Sequence, residues 1–415
     1  MKFSKFGSKF TGESAIVPLM DDLGEALRVS PELLFMGGGN PARIPEVEAE
    51  FRRALEATMQ SDDGLHNLLG IYQSPQGDGE VIAKLANYLS TQFAWPITEK
   101  NITFSNGSQS AFFVLFNLFA GEFENSQFKR VLLPVVPEYV GYADSGLSEE
   151  FFVANKPDIE TIDEHTFKYR VNFDTLDLQD NIGALCVSRP TNPSGNVLTD
   201  EEISRLDVLA AQFDIPLIID GAYGMPFPNI VFSNAKPYWS ENTILVLSLS
   251  KLGLPGARTG IVIAQEKVIR AFSKANTILS LAAGNLGPVI LDKLLDENKI
   301  TALSNDLVKP FYQDAANIAE RCVRKYFADL PYAIHQPEGA MFLWVWFKGL
   351  PISSQELYVR LKRRGLLVLA GEHFFVGLKE DWPHQFECIR ISYCQSAEVI
   401  EKGIQMIAEE VSVLY

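Results

Sequence analysis

Six short apolar runs, rich in β-branched side chains, recur between residues 101 and 264. Runs of four or five residues are too short for helices and are typical of buried strands. Between the third and fourth runs, Thr199 to Glu202 forms a capping box that predicts an amphipathic helix. Alternating strands and helices predict an α/β fold with a mainly parallel sheet and helices on both faces. The predicted strands are NITF at 101–104, VLLP at 131–134, ALCVS at 184–188, PLIID at 216–220, ILVLS at 244–248 and GIVIA at 260–264.

The chain has 415 residues, more than one hydrophobic core usually supports, so we expect two domains. Residues 51–308 are predicted to form the large domain. From about residue 309 the pattern changes to helices mixed with strand-like runs at 341–347 and 388–393, which predicts a smaller α+β domain over 309–415. Within it, Ser353 to Glu356 is predicted to cap the helix ELYVRLKRR. Residues 1–50 have too little regular pattern for a domain of their own, and we expect them to pack with the small domain.

The charge and hydropathy of the chain exclude several classes of partner. A net charge of −16 and a pI near 4.9 argue against a nucleic-acid or anionic-membrane surface, because both need a basic face. The N-terminus lacks the apolar stretch of a signal peptide, and the longest apolar run, 111–121, is too short to span a bilayer. We therefore expect a cytoplasmic protein with no nucleic-acid or membrane partner.

The cysteines and histidines predict neither a disulfide framework nor a metal site. The four cysteines contain no C-x-x-C pair, and the five histidines show no metal-ligand spacing. The cysteines fit a reducing compartment, and we expect the histidines at the surface or behind the site. These residues are Cys186, Cys322, Cys388 and Cys394, and His66, His165, His335, His373 and His384.

Polar residues follow three successive predicted strands. Asn192 follows the run ALCVS. Asp220 ends the run PLIID, and Tyr223 lies three residues later. The segment from Ser248 to Lys251 begins at the end of the run ILVLS. Ligands collect at the carboxyl ends of strands in an open parallel sheet, so these groups should converge on one crevice. Taken singly, each has a simpler interpretation: a surface lysine, a helix N-cap aspartate or an Asn-Pro turn. Their convergence favours a site.

The groups around Lys251 suit pyridoxal 5′-phosphate. A deprotonated lysine can attach the cofactor covalently, while Ser248 and Arg258 offer donors to its phosphate. Ser108 and Gln109 open a predicted helix, and the free N–H groups of a helix start offer a further phosphate contact.

The remaining polar groups match the cofactor ring and a substrate. Asp220 can keep the pyridine nitrogen protonated, which makes the ring an electron sink. Asn192 and Tyr223 can hydrogen-bond the phenolic oxygen of the ring. Tyr139 can stack on the ring, although a core tyrosine is an equally good interpretation. Arg390, embedded in an apolar strand-like run, needs an anion, which a substrate carboxylate would provide.

The order and approximate spacing of these motifs resemble the aspartate aminotransferase superfamily, the fold-type I pyridoxal phosphate enzymes. The resemblance covers nearly the whole chain. It implies a seven-stranded, mainly parallel sheet in the large domain and catalytic roles for Lys251, Asp220 and Tyr223. The motifs that carry it are RPTNPSG at 189–195, D-x-x-Y at 220–223, S-x-S-K at 248–251, Arg258 and Arg390.

The resemblance also implies a homodimer with shared active sites. Tyr72, in YQSPQG, is similar to the tyrosine that reaches the phosphate site of the neighbouring subunit. Gly38 and Asn192 are expected to bind the substrate, Gly38 through the carboxylate that Arg390 also holds. One departure is Gly221, which stands where the family pattern has a side chain such as Asn.

Longer matches narrow the resemblance to members that move an amino group between valine and pyruvate, which gives 3-methyl-2-oxobutanoate and alanine. The expected cycle is ping-pong, with Lys251 moving a proton from the substrate Cα, and belongs to amino-acid biosynthesis. The segment 278–288 has no basic residue, so a side-chain carboxylate would enter an apolar pocket unpaired. The matching stretches are GGGNPARIPE at 37–46, NGSQSAFFVLFNLFAGE at 106–122, PEYVGYAD at 137–144 and LSLSKLGLPGARTGI at 247–261.

Three other functions remain as alternatives. A β-lyase or decarboxylase would use the same lysine and aspartate with a differently shaped pocket. A pyridoxal-binding regulator would do no catalysis, but regulators of this kind carry a DNA-binding module ahead of the fold, and only about a hundred acidic-to-neutral residues precede the first predicted sheet strand. A dehydrogenase is disfavoured because GGGNP does not form G-x-G-x-x-G after a strand.

Overall fold

The computed structural model describes residues 2–12, the single positions 14, 17, 21 and 24, and residues 33–415. The predicted N-terminal segment, 1–50, therefore lies partly outside the described residues. No helix of the described residues is long and apolar enough to cross a membrane.

The strands are numbered here in chain order. They are β1 Leu34–Phe35, β2 Ile102–Ser105, β3 Gly121–Glu122, β4 Phe128–Leu133, β5 Phe152–Ala154, β6 Asp158–Asp163, β7 Thr166–Arg170, β8 Ile182–Ser188, β9 Leu217–Asp220, β10 Thr243–Ser248, β11 Gly260–Ile263, β12 Tyr332–His335, β13 Phe342–Phe347, β14 Leu366–Leu367, β15 Leu369–Ala370 and β16 Cys388–Ser392.

The helices are referred to by their residues. They are Lys5–Phe10, Pro45–Gln60, Gly79–Phe93, Ser108–Phe119, Asp200–Gln212, Glu266–Ser280, Leu286–Leu295, Lys299–Ala302, Lys309–Tyr326, Ser354–Arg363 and Ala397–Ser412. Two of the predicted caps form: the Thr199 hydroxyl accepts from Glu202 N, and the Ser353 hydroxyl accepts from Glu356 N.

The first sheet has the strand order β2-β11-β10-β9-β8-β4, and β3 and β5 both pair with β4. The pairs β10–β9, β9–β8, β8–β4 and β4–β5 are parallel, while β11 is antiparallel to both of its neighbours. All six predicted strands are present, and the predicted mainly parallel α/β architecture is confirmed. The two-residue strand β3 makes this an eight-stranded sheet, one more than expected.

Burial explains why these runs form central strands. Every residue of β8, β9 and β10 is buried, as expected for parallel strands that helices cover. Helix Ser108–Phe119 packs against β10 and β11, and helix Asp200–Gln212 packs against β8 and β9. The core therefore lies between the sheet and its helices, and the strand ends are left for polar groups.

A second sheet, in the order β15-β16-β13-β12-β7-β6, contains the C-terminal strands and also the hairpin β6–β7. The predicted boundary at residue 309 does not account for this hairpin, because it falls within 51–308. Aromatic packing explains its position: the rings of Phe167 and Trp346 lie edge to face at 5.7 Å, and Trp344 Nε1 donates to the Tyr169 hydroxyl at 2.8 Å.

Two histidines pack against this second sheet, His335 within β12 and His384 on the 3-10 turn Pro383–Phe386, and a surface position is wrong for both. His335 and His384 are both buried, and both contact the ring of Tyr169. Their rings fill space among aromatic side chains that no short sequence pattern connects.

The first residues of the continuous described range, 33–415, pair with a strand from the C-terminal part of the chain. Strand β1 is parallel to β14, and Met36 donates its N–H to the Leu367 carbonyl at 2.8 Å. The next residues, Gly37 to Gly39, then lead towards the ends of the central strands.

Candidate functional site

A pocket lies where the carboxyl ends of β8, β9 and β10 meet the start of helix Ser108–Phe119 and strand β16. Ten of the twelve predicted site residues line it, so the structure brings together groups that are up to 282 positions apart, from Ser108 to Arg390. Their individual roles stay predictions. The ten are Ser108, Gln109, Tyr139, Asn192, Asp220, Tyr223, Ser248, Lys251, Arg258 and Arg390.

Lys251 follows β10 directly, and its Nζ donates to the Gly39 carbonyl at 2.5 Å. Burial lowers the pKa of Lys251 to about 8, since the charged form loses water, and the Arg390 charge also lowers it. Lys251 Nζ lies 5.3 Å from the centre of the Tyr223 ring. A neutral amine is therefore accessible near neutral pH, which suits a nucleophile and a base.

Asp220 ends β9 and is held by two donors. Its Oδ2 accepts from the Tyr142 hydroxyl at 2.7 Å, and its Oδ1 accepts from Ala222 N at 2.9 Å. Burial raises the pKa of Asp220 despite these donors. A fixed, buried carboxylate of this kind needs a cation in front of it, and a protonated pyridine nitrogen is one.

One corner of the pocket suits a phosphate. Helix Ser108–Phe119 begins at Gly107 without a side-chain cap, so its first N–H groups are free of intrahelical partners. A Cβ atom on Gly107 would lie 2.3 Å from Arg258 Nη2, so only glycine lets the guanidinium sit beside this helix start. Ser248 and Ser250 add hydroxyls to the pocket wall.

The opposite corner suits a carboxylate. Arg390 Nη1 donates to Asn192 Oδ1 at 2.6 Å, and Nη2 donates to the Gly37 carbonyl at 2.7 Å. Its Nε has no partner among the described residues. Burial lowers the pKa of Arg390 to about 10, and the groups that favour its charge, Tyr223, Tyr139 and Cys394, are not carboxylates. Arg390 thus presents a buried, uncompensated positive charge.

The aromatic residues complete the walls. The Tyr139 ring lies edge to face with Tyr142 at 5.5 Å, and the Tyr223 ring lies edge to face with Phe342 at 5.8 Å. Burial raises the pKa of both Tyr139 and Tyr223. Both hydroxyls therefore stay protonated at neutral pH and can donate to a ligand.

The structure leaves two predicted site residues off the pocket wall. Gly37 and Gly39 line the pocket, whereas Gly38 between them does not, and a Cβ atom on Gly38 would lie 2.1 Å from Cε1 of the Phe35 ring. Tyr72 has 83% of its surface exposed and lies outside the pocket. An exposed position is what the predicted reach into a second subunit requires.

Packing against strand β10 explains why glycine stands at position 221. A Cβ atom there would lie 2.8 Å from Leu247 Cδ2 and 3.1 Å from Leu245 Cδ1. The leucines of β10 occupy the space that a side chain would need, so the departure from the family pattern is accommodated by the neighbouring strand.

Sequence reasoning missed three polar residues next to Asp220: Ser188, which lines the pocket, and Glu138 and Tyr142, which do not. All three are buried, and they connect through hydrogen bonds to Asp220. The available signal was weak: Tyr142 lies three positions after Tyr139 on the short 3-10 turn Val140–Tyr142, and Glu138 directly precedes Tyr139. Among the residues that the structure describes, no group of three or more His, Cys, Asp or Glu is placed to hold a metal ion.

Pyridoxal phosphate fits this set of donors. The pocket offers a primary amine at Lys251, an anion corner at the helix start beside Arg258, and a buried carboxylate at Asp220. The three groups correspond to the aldehyde, the phosphate and the ring nitrogen of that cofactor.

Comparison with known proteins agrees with this geometry. The family model described as aminotransferase class I and II matches residues 150–407. The valine–pyruvate aminotransferase of Escherichia coli K12 is 48% identical over 99% of this chain and 98% of its own length.

Solved structures extend the likeness to the fold. The crystal structure of valine–pyruvate aminotransferase from Salmonella typhimurium LT2 has a TM-score of 0.88 at 45% identity, and the match covers 96% of this chain and 98% of the other. Kynurenine aminotransferase from Pyrococcus horikoshii, solved with PMP, has a TM-score of 0.81 at 20% identity over 99% of this chain and 97% of the other. At that identity the likeness concerns the fold alone.

Proposed function

Because this chain belongs to the class I and II aminotransferase family, and is therefore a pyridoxal phosphate-dependent aminotransferase, we propose that it moves the amino group between valine and pyruvate. The products are 3-methyl-2-oxobutanoate and alanine. The relative from Escherichia coli, at 48% identity, carries both substrates in its name.

The observation that supports small aliphatic substrates is the number of cations in the pocket. Among the described residues that line it, the cationic side chains are Lys251, Arg258 and Arg390. Lys251 is assigned to the cofactor, Arg258 to the phosphate and Arg390 to the α-carboxylate. No lining cation remains for the side-chain carboxylate of aspartate or glutamate, and burying such a charge unpaired is costly.

The residues divide the work of proton transfer and orientation. Bound pyridoxal phosphate supplies an electron sink for the electrons of the substrate Cα–H bond. Lys251, as a neutral amine, would take the Cα proton and pass it to C4′ of the cofactor within the same half-reaction. In the second half of the ping-pong cycle it would move a proton the opposite way, from C4′ to the Cα of the second substrate. Asp220 keeps a proton at the ring nitrogen, and Asn192 and Tyr223 hold the ring oxygen. Arg390 orients the substrate through its α-carboxylate.

A homodimer is part of the proposal, and an exposed apolar surface supports it. Large apolar side chains are exposed on two segments, around residues 69–72 and 278–281. They belong to Leu69, Tyr72, Ile278, Leu279 and Leu281. Asn285, just after the second segment, donates its side-chain amide to the carbonyls of Asn67 and Ile71, at 2.8 and 3.3 Å, which ties the two segments together. Contiguous apolar surface on a folded protein marks an interface, and a second copy of this chain is the occupant we propose.

A cytoplasmic location is also proposed. The four cysteines are free and no two of them form a disulfide. This pattern suits a reducing compartment.

The experiment that tests the substrate proposal is a comparison of kcat/KM for valine, alanine, aspartate and glutamate as amino donors, each with an oxo acid other than its own as acceptor. We expect valine with pyruvate to be a good pair. 2-Aminobutanoate should be tolerated, because one methylene in an apolar pocket changes kcat/KM by only about 10- to 200-fold. Aspartate and glutamate should be poorer by a wider margin. A preference for either acidic substrate would contradict the proposal.

A further inference from the structure

A second buried carboxyl group lies behind Asp220. Glu138 has none of its surface exposed. Its Oε1 accepts from Ser188 N at 2.7 Å, and its Oε2 lies 2.5 Å from Ser188 Oγ and 3.3 Å from Tyr139 N. The aminotransferase chemistry derived above uses neither Glu138 nor Ser188. A carboxyl group that is buried without a cationic partner destabilises the folded protein if it is ionised. Its position next to the site therefore suggests a function for it.

Two hydroxyls connect Glu138 to Asp220. Ser188 Oγ lies 3.3 Å from the Tyr142 hydroxyl, and that hydroxyl lies 2.7 Å from Asp220 Oδ2. Ser188 and Asp220 end the neighbouring parallel strands β8 and β9 and are directly paired in register. The four side chains therefore form one continuous buried row, which we call the carboxyl row.

The two carboxyl groups of the carboxyl row can share one proton, which is bound either to Glu138 or to Asp220. With the proton on Glu138, its O–H donates to Ser188, Ser188 donates to Tyr142, and Tyr142 donates to Asp220, which is ionised. Transfer of one proton across each of the three hydrogen bonds moves the charge to Glu138 and leaves Asp220 protonated. Two carboxylates so close do not both ionise readily in a buried site.

We propose that Glu138 is a positioning residue that holds the shared proton of the carboxyl row, so that Asp220 remains ionised and faces the ring nitrogen of the bound cofactor. The inference rests on the proposed roles of Lys251 and Asp220. It adds a residue that acts on the cofactor through Ser188 and Tyr142.

The surroundings of Glu138 agree with a protonated group. Burial, reinforced by the nearby charge of Asp220, raises the pKa of Glu138 to about 8. The other titratable groups beside Glu138 and Asp220 are Tyr139 and Tyr142, which follow Glu138 in the chain, Cys186 on β8 and Lys251 after β10. Burial raises the pKa of Tyr139, Tyr142 and Cys186, and the Lys251 charge lowers the pKa of Asp220. From the segment after β15, the Phe374 carbonyl accepts the Glu138 N–H at 2.8 Å.

A purely structural role would make different predictions. Glutamine at position 138 can accept from Ser188 N with its carbonyl and donate to Ser188 Oγ with its amide, so it keeps both contacts of the protonated glutamate to Ser188, loses the weaker one from Tyr139 N, and cannot ionise. Alanine removes both contacts. Glu124→Gln, at an exposed position, is the matched control.

The first measurement is the infrared absorption of protonated carboxyl groups in the cofactor-free protein between pH 6 and 10. We expect a band that disappears with a midpoint near pH 8 in the wild type and in Glu124→Gln, and that is absent in Glu138→Gln. Persistence of this band in Glu138→Gln, or its absence from the wild type, would overturn the inference. This result does not depend on cofactor binding, so it is separate from any failure of the proposed function.

The second measurement is the Kd for pyridoxal phosphate at pH 7, followed by fluorescence quenching. Glu138→Gln should stay within about threefold of the wild type, while Glu138→Ala should bind about tenfold or more weakly, because Ser188 and Tyr142 lose the group that orients them. Equal weakening in both variants would show that the ionisable carboxyl is needed as a carboxylate, contrary to the inference.

Discussion

Arg390 shows how one buried side chain is prepared for a ligand. The Asn192 carboxamide and the Gly37 carbonyl hold two of its nitrogens, and the Phe342 ring lies 3.9 Å from its guanidinium carbon. These neutral contacts orient the guanidinium without neutralising it. The arrangement leaves an anion as the missing partner, and every amino acid and oxo acid substrate carries one in its α-carboxylate.

Replacement of Arg390 should therefore affect all substrates alike. We expect Arg390→Ala to lower kcat/KM for valine and alanine by a similar factor, equivalent to about 2–5 kcal/mol for a buried charge left unpaired. Arg390→Lys should recover only part of the loss, because an ammonium group cannot replace the planar fork. The Kd for cofactor serves as the control and should stay near the wild-type value. Loss of one substrate alone would instead assign Arg390 to a side-chain pocket.

At the scale of elements, the hairpin β6–β7 joins the second sheet to residues far away in the chain. Strand β7 pairs with β12, and Tyr169 N donates to His335 Nε2 at 3.2 Å. His335 Nδ1 lies 2.8 Å from the Gln336 carbonyl, so the neutral ring with its proton on Nδ1 satisfies both nitrogens. Burial lowers the pKa of His335 to about 3, and the Lys168 charge also lowers it.

This histidine should make the fold sensitive to acid. Below about pH 6.5 the unfolded chain binds a proton at His335 and the folded chain does not. The contribution of His335 to the free energy of unfolding is therefore fully present above that pH and is lost as the pH falls towards 3. The loss at pH 5 should be about 2 kcal/mol from this residue. Urea unfolding of cofactor-free His335→Gln should show a shallower decline between pH 7 and 5 than the wild type.

The exposed His373 provides a control for that comparison. His373→Gln should keep the wild-type dependence on pH. Identical slopes for His335→Gln and the wild type would mean that His335 titrates normally in the folded protein.

At the scale of the whole molecule, one hydrogen bond connects the approach to helix Ser108–Phe119, whose first residues line the pocket, to the segment 278–288 of the apolar surface. The Asn106 carboxamide, at the approach to helix Ser108–Phe119, accepts from Gly284 N at 2.9 Å and so links the phosphate corner to the segment 278–288. In the dimer proposed above, Tyr72 is the residue expected to reach the pocket of the partner subunit. The proposed dimer would then have two sites, each built from both chains.

Subunit mixing tests this arrangement. Lys251→Ala and Tyr72→Ala dimers should each be weak. After subunit exchange at equal amounts, roughly a quarter of all sites should combine an intact Lys251 with an intact Tyr72 of the partner subunit and recover activity. Mass spectrometry of the mixed dimers verifies the exchange. No recovery after verified exchange would favour a site formed within one chain.

The sequence alone determined the six central strands, the helix caps at Thr199 and Ser353, and most of the pocket residues. These features depend on local patterns: burial of a continuous apolar run, a hydroxyl three residues before a glutamate, and polar groups at strand ends. The order of Asn192, Asp220 and Lys251 along the chain follows the order of the strands that carry them, so their convergence was predictable from one topological rule.

Only the tertiary structure decided which residues stand behind those groups. Tyr142 reaches Asp220 across 78 positions, Glu138 reaches Ser188 across 50, and Arg390 reaches the Gly37 carbonyl across 353. The hairpin β6–β7 likewise joins a sheet whose other strands begin at Tyr332. Such contacts depend on how sheets and loops pack in space, and packing between distant segments leaves no periodic pattern in the sequence.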